Sequence, residues 1–261
     1  MKINFISLIQ CFTISTVLAL CAIMAFAGEN LVKNGSLDEG EITALHWEAA
    51  DGLTTFYEME EGRGRIVCMD TLVERAQALE WAKAFKADPT LKAPVKKLIA
   101  LDSYGSIGGN EGVMLDSELI QAKPGQDYKL TVDFKGDGKP FIWIKGFLTH
   151  PKRKTLVDGY QTRLEPGKPS KTEWRTFSIG FNPTAKSPRI EKFKVRLYAY
   201  WPNGLYYFDN IRVEEITPGE MAELVAERGE ADNRVIKERG DGNIRAFPSN
   251  ADTKLRKEIH L

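Results

Sequence analysis

Tyr128-Lys129-Leu130-Thr131-Val132-Asp133-Phe134 sets apolar and polar residues strictly in turn, and Gly136-Asp137-Gly138 closes the run. That period belongs to a pleated strand with one buried and one wet face, because successive side chains point to opposite sides. Further along the chain lie more short strand-like runs: Phe141 to Phe147, Trp174 to Phe181, Phe193 to Tyr200 and Leu205 to Val213. Pro124-Gly125, Pro166-Gly167 and Asn203-Gly204 sit between or beside them as turn signals. Parallel pairing would need crossover helices, and the spaces are too short to hold them. The body, Glu29 to Ile216, therefore reads as all-β, a sandwich or barrel of antiparallel strands.

Two segments depart from this pattern. Within roughly 71–98, Thr71 and Glu74 have the spacing of a capping box, good helix formers run to Lys86, and Asp88-Pro89 stops them. Leu72, Ala76 and Leu79 would share one face of that helix, and Trp81 and Phe85 another. The expected role is to cover a sheet edge. After Ile216, Thr217-Pro218-Gly219-Glu220 opens a second helix with the stripe Met221, Leu224 and Val225. Gly229 ends that stripe, and the charged tail to Leu261 is expected to be loosely ordered.

Lys2 is the only charged side chain of residues 1–27; the apolar run Leu8 to Phe26 follows, and Ala25-Phe26-Ala27 precedes Gly28. Basic start, apolar middle and an A-x-A exit describe a cleaved secretory signal; an uncleaved membrane anchor is the alternative. The mature chain is then expected outside the cytoplasm (secreted, periplasmic or at the cell surface), with no stable membrane span. Cleavage removes Cys11 and Cys21 and leaves Cys68 alone, so no internal disulfide can form. Lys+Arg and Asp+Glu are equal at 36 each, which counts against a nucleic-acid partner.

Four phrases occur in order along the body: Asn30-Leu31-Val32-Lys33-Asn34-Gly35-Ser36-Leu37-Asp38, Pro124-Gly125 leading into Tyr128-Lys129-Leu130-Thr131, Trp174 to Phe181, and Tyr207-Phe208-Asp209-Asn210-Ile211. Together they resemble the jelly-roll carbohydrate-binding modules of the cellulose- and xylan-binding type, whose fold is galactose-binding-like. The resemblance implies an antiparallel jelly-roll β-sandwich in which the first phrase is a strand beside the last one. It also implies a structural Ca2+ held between those strands, with Asp38 and Asp209 at the matching positions. The helical insertion and the tail depart from the family pattern.

Sugars are gripped by aromatic rings stacking on their apolar faces while polar groups take the hydroxyls. In the run 193–200, Phe193, Val195, Leu197 and Ala199 are the core set, which turns Lys194, Arg196, Tyr198 and Tyr200 outward together. Ile142 and Ile144 similarly turn Trp143 and Lys145 outward, although the reverse assignment of that strand stays open, and Trp201 follows Tyr200 at the strand end. The expected carbohydrate contacts are thus Trp143, Lys145, Arg196, Tyr198, Tyr200 and Trp201. Trp174 is expected in the core.

No catalytic motif emerges. His46, His150 and His260 are scattered without metal spacing, and Tyr104-Gly105-Ser106-Ile107-Gly108 lacks the first glycine of a nucleophile elbow. Glu58, Glu60 and Glu61 read as a solvated face. The expected function is an exported, non-catalytic protein that recognises a polysaccharide or glycan. The alternatives are an exported protein-interaction module docking a protein partner through its C-terminal helix, or a jelly-roll glycoside hydrolase.

Overall fold

One sheet runs in the order β1 (Thr55–Glu60), β2 (Gly64–Asp70), β10 (Leu205–Ile216), β5 (Asp127–Gly136), β8 (Arg175–Phe181). The other runs β3 (Val113–Asp116), β9 (Lys192–Ala199), β6 (Phe141–Thr149), β7 (Leu156–Leu164), and β4 (Ile120–Gln121) continues the edge of β3 along β9. Every pairing is antiparallel. From β5 onward the chain passes back and forth between the sheets, β5 in the first, β6 and β7 in the second, then β8, β9 and β10 by turns. That path makes the fold a jelly-roll β-sandwich, as the sequence suggests. This computed structural model describes residues 28–138, 140–165 and 169–238. The expected signal with its cysteines, the Pro166-Gly167 turn and the tail beyond Glu238 lie outside the described residues.

The core follows the period-two pattern. Tyr128, Leu130, Val132 and Phe134 of β5 are buried together with Phe193, Val195, Leu197 and Ala199 of β9, and with Ile142, Ile144, Tyr206 and Phe208. Burying each of the larger side chains stabilises by about 1.5–3 kcal/mol. The hydroxyls of these two tyrosines are satisfied: that of Tyr128 accepts from the Lys123 N–H at 2.9 Å, and that of Tyr206 donates to the Pro202 carbonyl at 2.5 Å.

The opening phrase lies beside β10 but is not a strand. The Leu31 N–H donates to the Val213 carbonyl at 2.8 Å, and the Ile211 N–H to the Gly35 carbonyl at 2.8 Å. Between them the chain turns, with φ of 49° at Asn34 and 64° at Leu37, values no strand accommodates. Asn34 stabilises the turn by donating to the carbonyls of Glu39 and Leu45, each at 3.0 Å. Gly35 is obligatory: a Cβ there would stand 1.9 Å from the Ile211 carbonyl oxygen.

The insertion forms helix α1 (Arg75–Ala87), without the expected capping box. The Thr71 hydroxyl is instead buried against Gly204, donating to its carbonyl at 3.0 Å and accepting its N–H at 2.9 Å. The helix start is served by backbone: Glu74 N–H donates to Lys97 O and Arg75 N–H to Gly105 O. The buried face is Ala78 and Trp81 with Phe85 packed behind, while Ala76 is exposed. Trp81 anchors it, donating its indole N–H to the Asp51 carbonyl at 2.7 Å.

Helix α2 (Pro218–Glu238) has the expected start, a reciprocal capping box in which Glu220 accepts from the Thr217 N–H at 2.7 Å and Thr217 accepts from the Glu220 N–H at 3.3 Å. It runs on past Gly229, where the apolar stripe ends. Most of its length belongs to a unit of its own, beginning at Ala222. Val225 of its apolar stripe is exposed.

Gly35→Ala should lower stability by at least about 2 kcal/mol, from the clash with Ile211. Gly62→Ala, with φ +77° but open space around it, should lose only about 1 kcal/mol. Urea midpoints at constant m would show this order, and equal losses would refute the close approach.

Candidate functional site

The outer face of the second sheet carries most of the expected binding residues. Its register places Trp143 beside Arg196, Phe141 beside Tyr198 and Lys145 beside Lys194. Cross-strand partners point the same way, so β6 and β9 present one continuous row of side chains. The buried Ile142 and Ile144 confirm that Trp143 and Lys145 face out. Trp143, Lys145, Arg196, Tyr198 and Tyr200 are all half-buried there. Trp201 lies past the end of β9, and its ring stacks on Tyr104 at 4.7 Å with 1° between the planes.

The neighbouring strands complete the face. Register sets Asp116 and Met114 of β3 beside Arg196 and Tyr198, and Arg163 and Gln161 of β7 beside Trp143 and Lys145. A row Asp116–Arg196–Trp143–Arg163 thus crosses the sheet. The rings of Phe141, Tyr198 and Tyr200 follow one another at 6.2 and 6.0 Å with planes within 24°. The Tyr198 hydroxyl donates to the Glu111 carbonyl at 2.8 Å, and the Arg163 guanidinium lies 4.6 Å from the Phe141 ring centre.

The charges are fixed by pairing. Arg196 forks onto both oxygens of Asp116, Nε at 2.6 Å and the terminal nitrogen at 2.8 Å, and Lys194 also ion-pairs with Asp116. Lys145 pairs with Asp158 at 3.0 Å. Half-buried rings among immobilised N–H donors can stack on the C–H face of a pyranose and donate to its hydroxyls. Asp116 is fully buried and doubly paired, so it orients the cations.

Asp116, Arg163 and Asp158 escaped the sequence reading. For Asp116 a signal existed: in Val113-Met114-Leu115-Asp116 the apolar pair Val113 and Leu115 is buried, which turns Asp116 to the opposite face.

Each of the two expected calcium ligands has a protein partner. Asp38 accepts the Arg65 N–H at 2.9 Å, fastening the turn between β1 and β2. Asp209 instead stands directly opposite Asp133 across β10 and β5. Facing carboxylates repel, and Arg63 resolves this by pairing with both, at 2.9 Å to Asp209 and in a short contact to Asp133. A guanidinium thus holds the buried acid that the family resemblance assigns to a metal.

Trp174 is a correction as well. It lies on the outer side of the first sheet, donating its indole N–H to Glu60 at 2.6 Å, with Arg63 4.2 Å from the ring centre. Parity explains this, because Phe177, Ile179 and Phe181 pack toward the core. Cys68 is fully buried, and burial, with the charge of Glu58 adding, pushes its thiol well up.

No protein-family model matches the sequence. Comparison with curated proteins gives no match either. Among solved structures, the chain is similar to the enzymatically active domain of tailspike protein 4 of bacteriophage CBA120, at 12% identity and TM-score 0.43, covering 72% of this chain but only 21% of that one. TmCBM61 in complex with β-1,4-galactotriose matches at 12% identity and TM-score 0.39, over 72% of this chain and 99% of that one. The CBM22-1 xylan-binding domain of Paenibacillus barcinonensis Xyn10C matches at 10% identity and TM-score 0.38, over 74% and 98%. With scores this low, the fold assignment stands on the strand order and register described above.

Burial raises the Asp116 carboxyl, but the hydrogen bonds and charges of Arg196 and Lys194 outweigh it and hold it below its ordinary value. A lowered acid adds stability above its unfolded value, about 3.9, which is lost as pH falls through the folded value. Asp116→Asn should therefore flatten the acid limb of a stability–pH curve below about pH 4; an unaltered limb would deny the cluster this role. Chelation with EDTA should leave the melting temperature unchanged, whereas Arg63→Ala should cost about 3 kcal/mol by stranding Asp209 beside Asp133. A clear fall in melting temperature on chelation would place a metal among these acids instead.

Proposed function

We propose that this chain is an exported, non-catalytic glycan-binding protein that receives a polysaccharide on the outer face of its second sheet. The observation that carries the reading is the continuous row on β6 and β9, where Trp143, Tyr198 and Tyr200 stand among Arg196, Lys194 and Lys145. A row of near-parallel rings suits an extended chain of sugars, whose apolar faces stack on aromatic side chains. Arg196 is held by Asp116 before any ligand arrives, so little side-chain entropy is lost on binding. Export is supported by the signal pattern in residues 1–27. Among the described residues no helix is long and apolar enough to cross a membrane.

Affinity electrophoresis of residues 28–261 through gels of soluble polysaccharides tests this. At least one polysaccharide should retard the protein, and Trp143→Ala or Tyr200→Ala should weaken retention roughly tenfold, about 1.4 kcal/mol. Trp174→Ala, on the other sheet, should migrate with the unaltered chain. Free migration in every gel, or retention indifferent to Trp143 and Tyr200, would sink the reading. New reducing ends released from a retarding polysaccharide would shift it to the hydrolase alternative.

A further inference from the structure

The segment after helix α1 exposes apolar side chains that a folded body ordinarily hides. Val95 is 90% exposed, Tyr104 is 70% exposed, and Leu91, Leu98 and Leu101 are exposed beside them in sequence. Lysines alternate with these residues, as in Leu91-Lys92-Ala93-Pro94-Val95-Lys96-Lys97-Leu98. Between positions 83 and 104 the chain carries Lys83, Lys86, Lys92, Lys96 and Lys97 against Asp88 and Asp102, a local cationic excess in a chain balanced overall. Lys96 turns back, its ammonium 2.8 Å from Asp70 and 4.0 Å from the Phe56 ring centre, and Lys97 lies 3.9 Å from Glu74. Lys83, Lys86 and Lys92 remain exposed.

The segment is held in place. The Gln77 side chain donates to the Val95 carbonyl and accepts the Lys97 N–H, each at 2.8 Å. The Ile99 N–H donates to the Leu72 carbonyl at 3.1 Å. These bonds fix the backbone on the first turn of α1 and leave the aliphatic side chains outside.

We propose that this segment docks the protein on an anionic phospholipid surface. Charge complementarity favours that occupant: lysine is depleted in the cores of protein interfaces, whereas at a bilayer its ammonium reaches the phosphates while its stem lies along the acyl boundary. The aliphatic residues enter the interfacial layer, and Tyr104, stacked on Trp201, is suited to headgroup depth. Insertion is shallow, because the chain has no helix or strand between Ala87 and Val113 and its backbone cannot enter hydrocarbon.

The test is co-sedimentation of residues 28–261 with vesicles of phosphatidylglycerol and phosphatidylcholine, or of phosphatidylcholine alone. Residues 1–27 are left out because their apolar run would bind by itself. The chain should sediment with the anionic vesicles and much less with the neutral ones. Val95→Ser with Leu98→Ser should weaken this at least tenfold, and Lys83→Gln, Lys86→Gln and Lys92→Gln should each weaken it about fivefold. All five positions are exposed, so melting temperatures should hold and polysaccharide retention should persist. No sedimentation with anionic vesicles, or sedimentation indifferent to these substitutions, overturns the proposal. Concentration-dependent dimerisation that Val95→Ser abolishes, without vesicle binding, also overturns it and gives the face to a second copy.

Discussion

A strand can bury only every second side chain, and this constraint shapes the molecule. In β9 it seals Phe193, Val195, Leu197 and Ala199 into the core, which obliges Lys194, Arg196, Tyr198 and Tyr200 to share the opposite face. A slip of one residue would exchange the two sets. The burial that stabilises the sandwich is therefore also what aligns the aromatic row, and the two cannot be altered separately.

Both outer faces contain a buried carboxylate neutralised from a neighbouring element. On the second sheet Asp116 is held by Arg196 and Lys194; on the first, Asp209 and Asp133 are held by Arg63 from the β1–β2 turn. A carboxylate sealed from water is unfavourable without a cation, so each cluster fixes the position of its arginine. On the second sheet that arginine is part of the row. On the first it lies against Trp174 and closes the face.

What could be read from the sequence was what repeats locally. The alternation in β5 and β9 named the core and the outward set, that of β6 left two assignments between which burial of Ile142 and Ile144 decides, and Thr217 to Glu220 named a helix start that the structure builds. What could not be read depends on residues far apart in the chain. Asp116 and Arg196 are 80 positions apart, and Arg63 and Asp209 are 146 apart. Thr71 followed the same rule: its spacing to Glu74 was right for a cap, but Gly204, 133 residues away, claimed its hydroxyl. The opening phrase misled for a different reason, since its resemblance to a strand concealed positive φ at Asn34 and Leu37.

The opening segment runs against β10 in the opposite direction, Leu31 matched to Val213 and Gly35 to Ile211. Gly28 consequently lies against Glu214, close to where the body ends at Ile216. Tension applied between these two points would load the hydrogen bonds one after another, as a zipper is opened. Antiparallel neighbours pulled from the same end share no load, so this seam would be the mechanically weak one, parting at low force while the sheets behind it stayed intact.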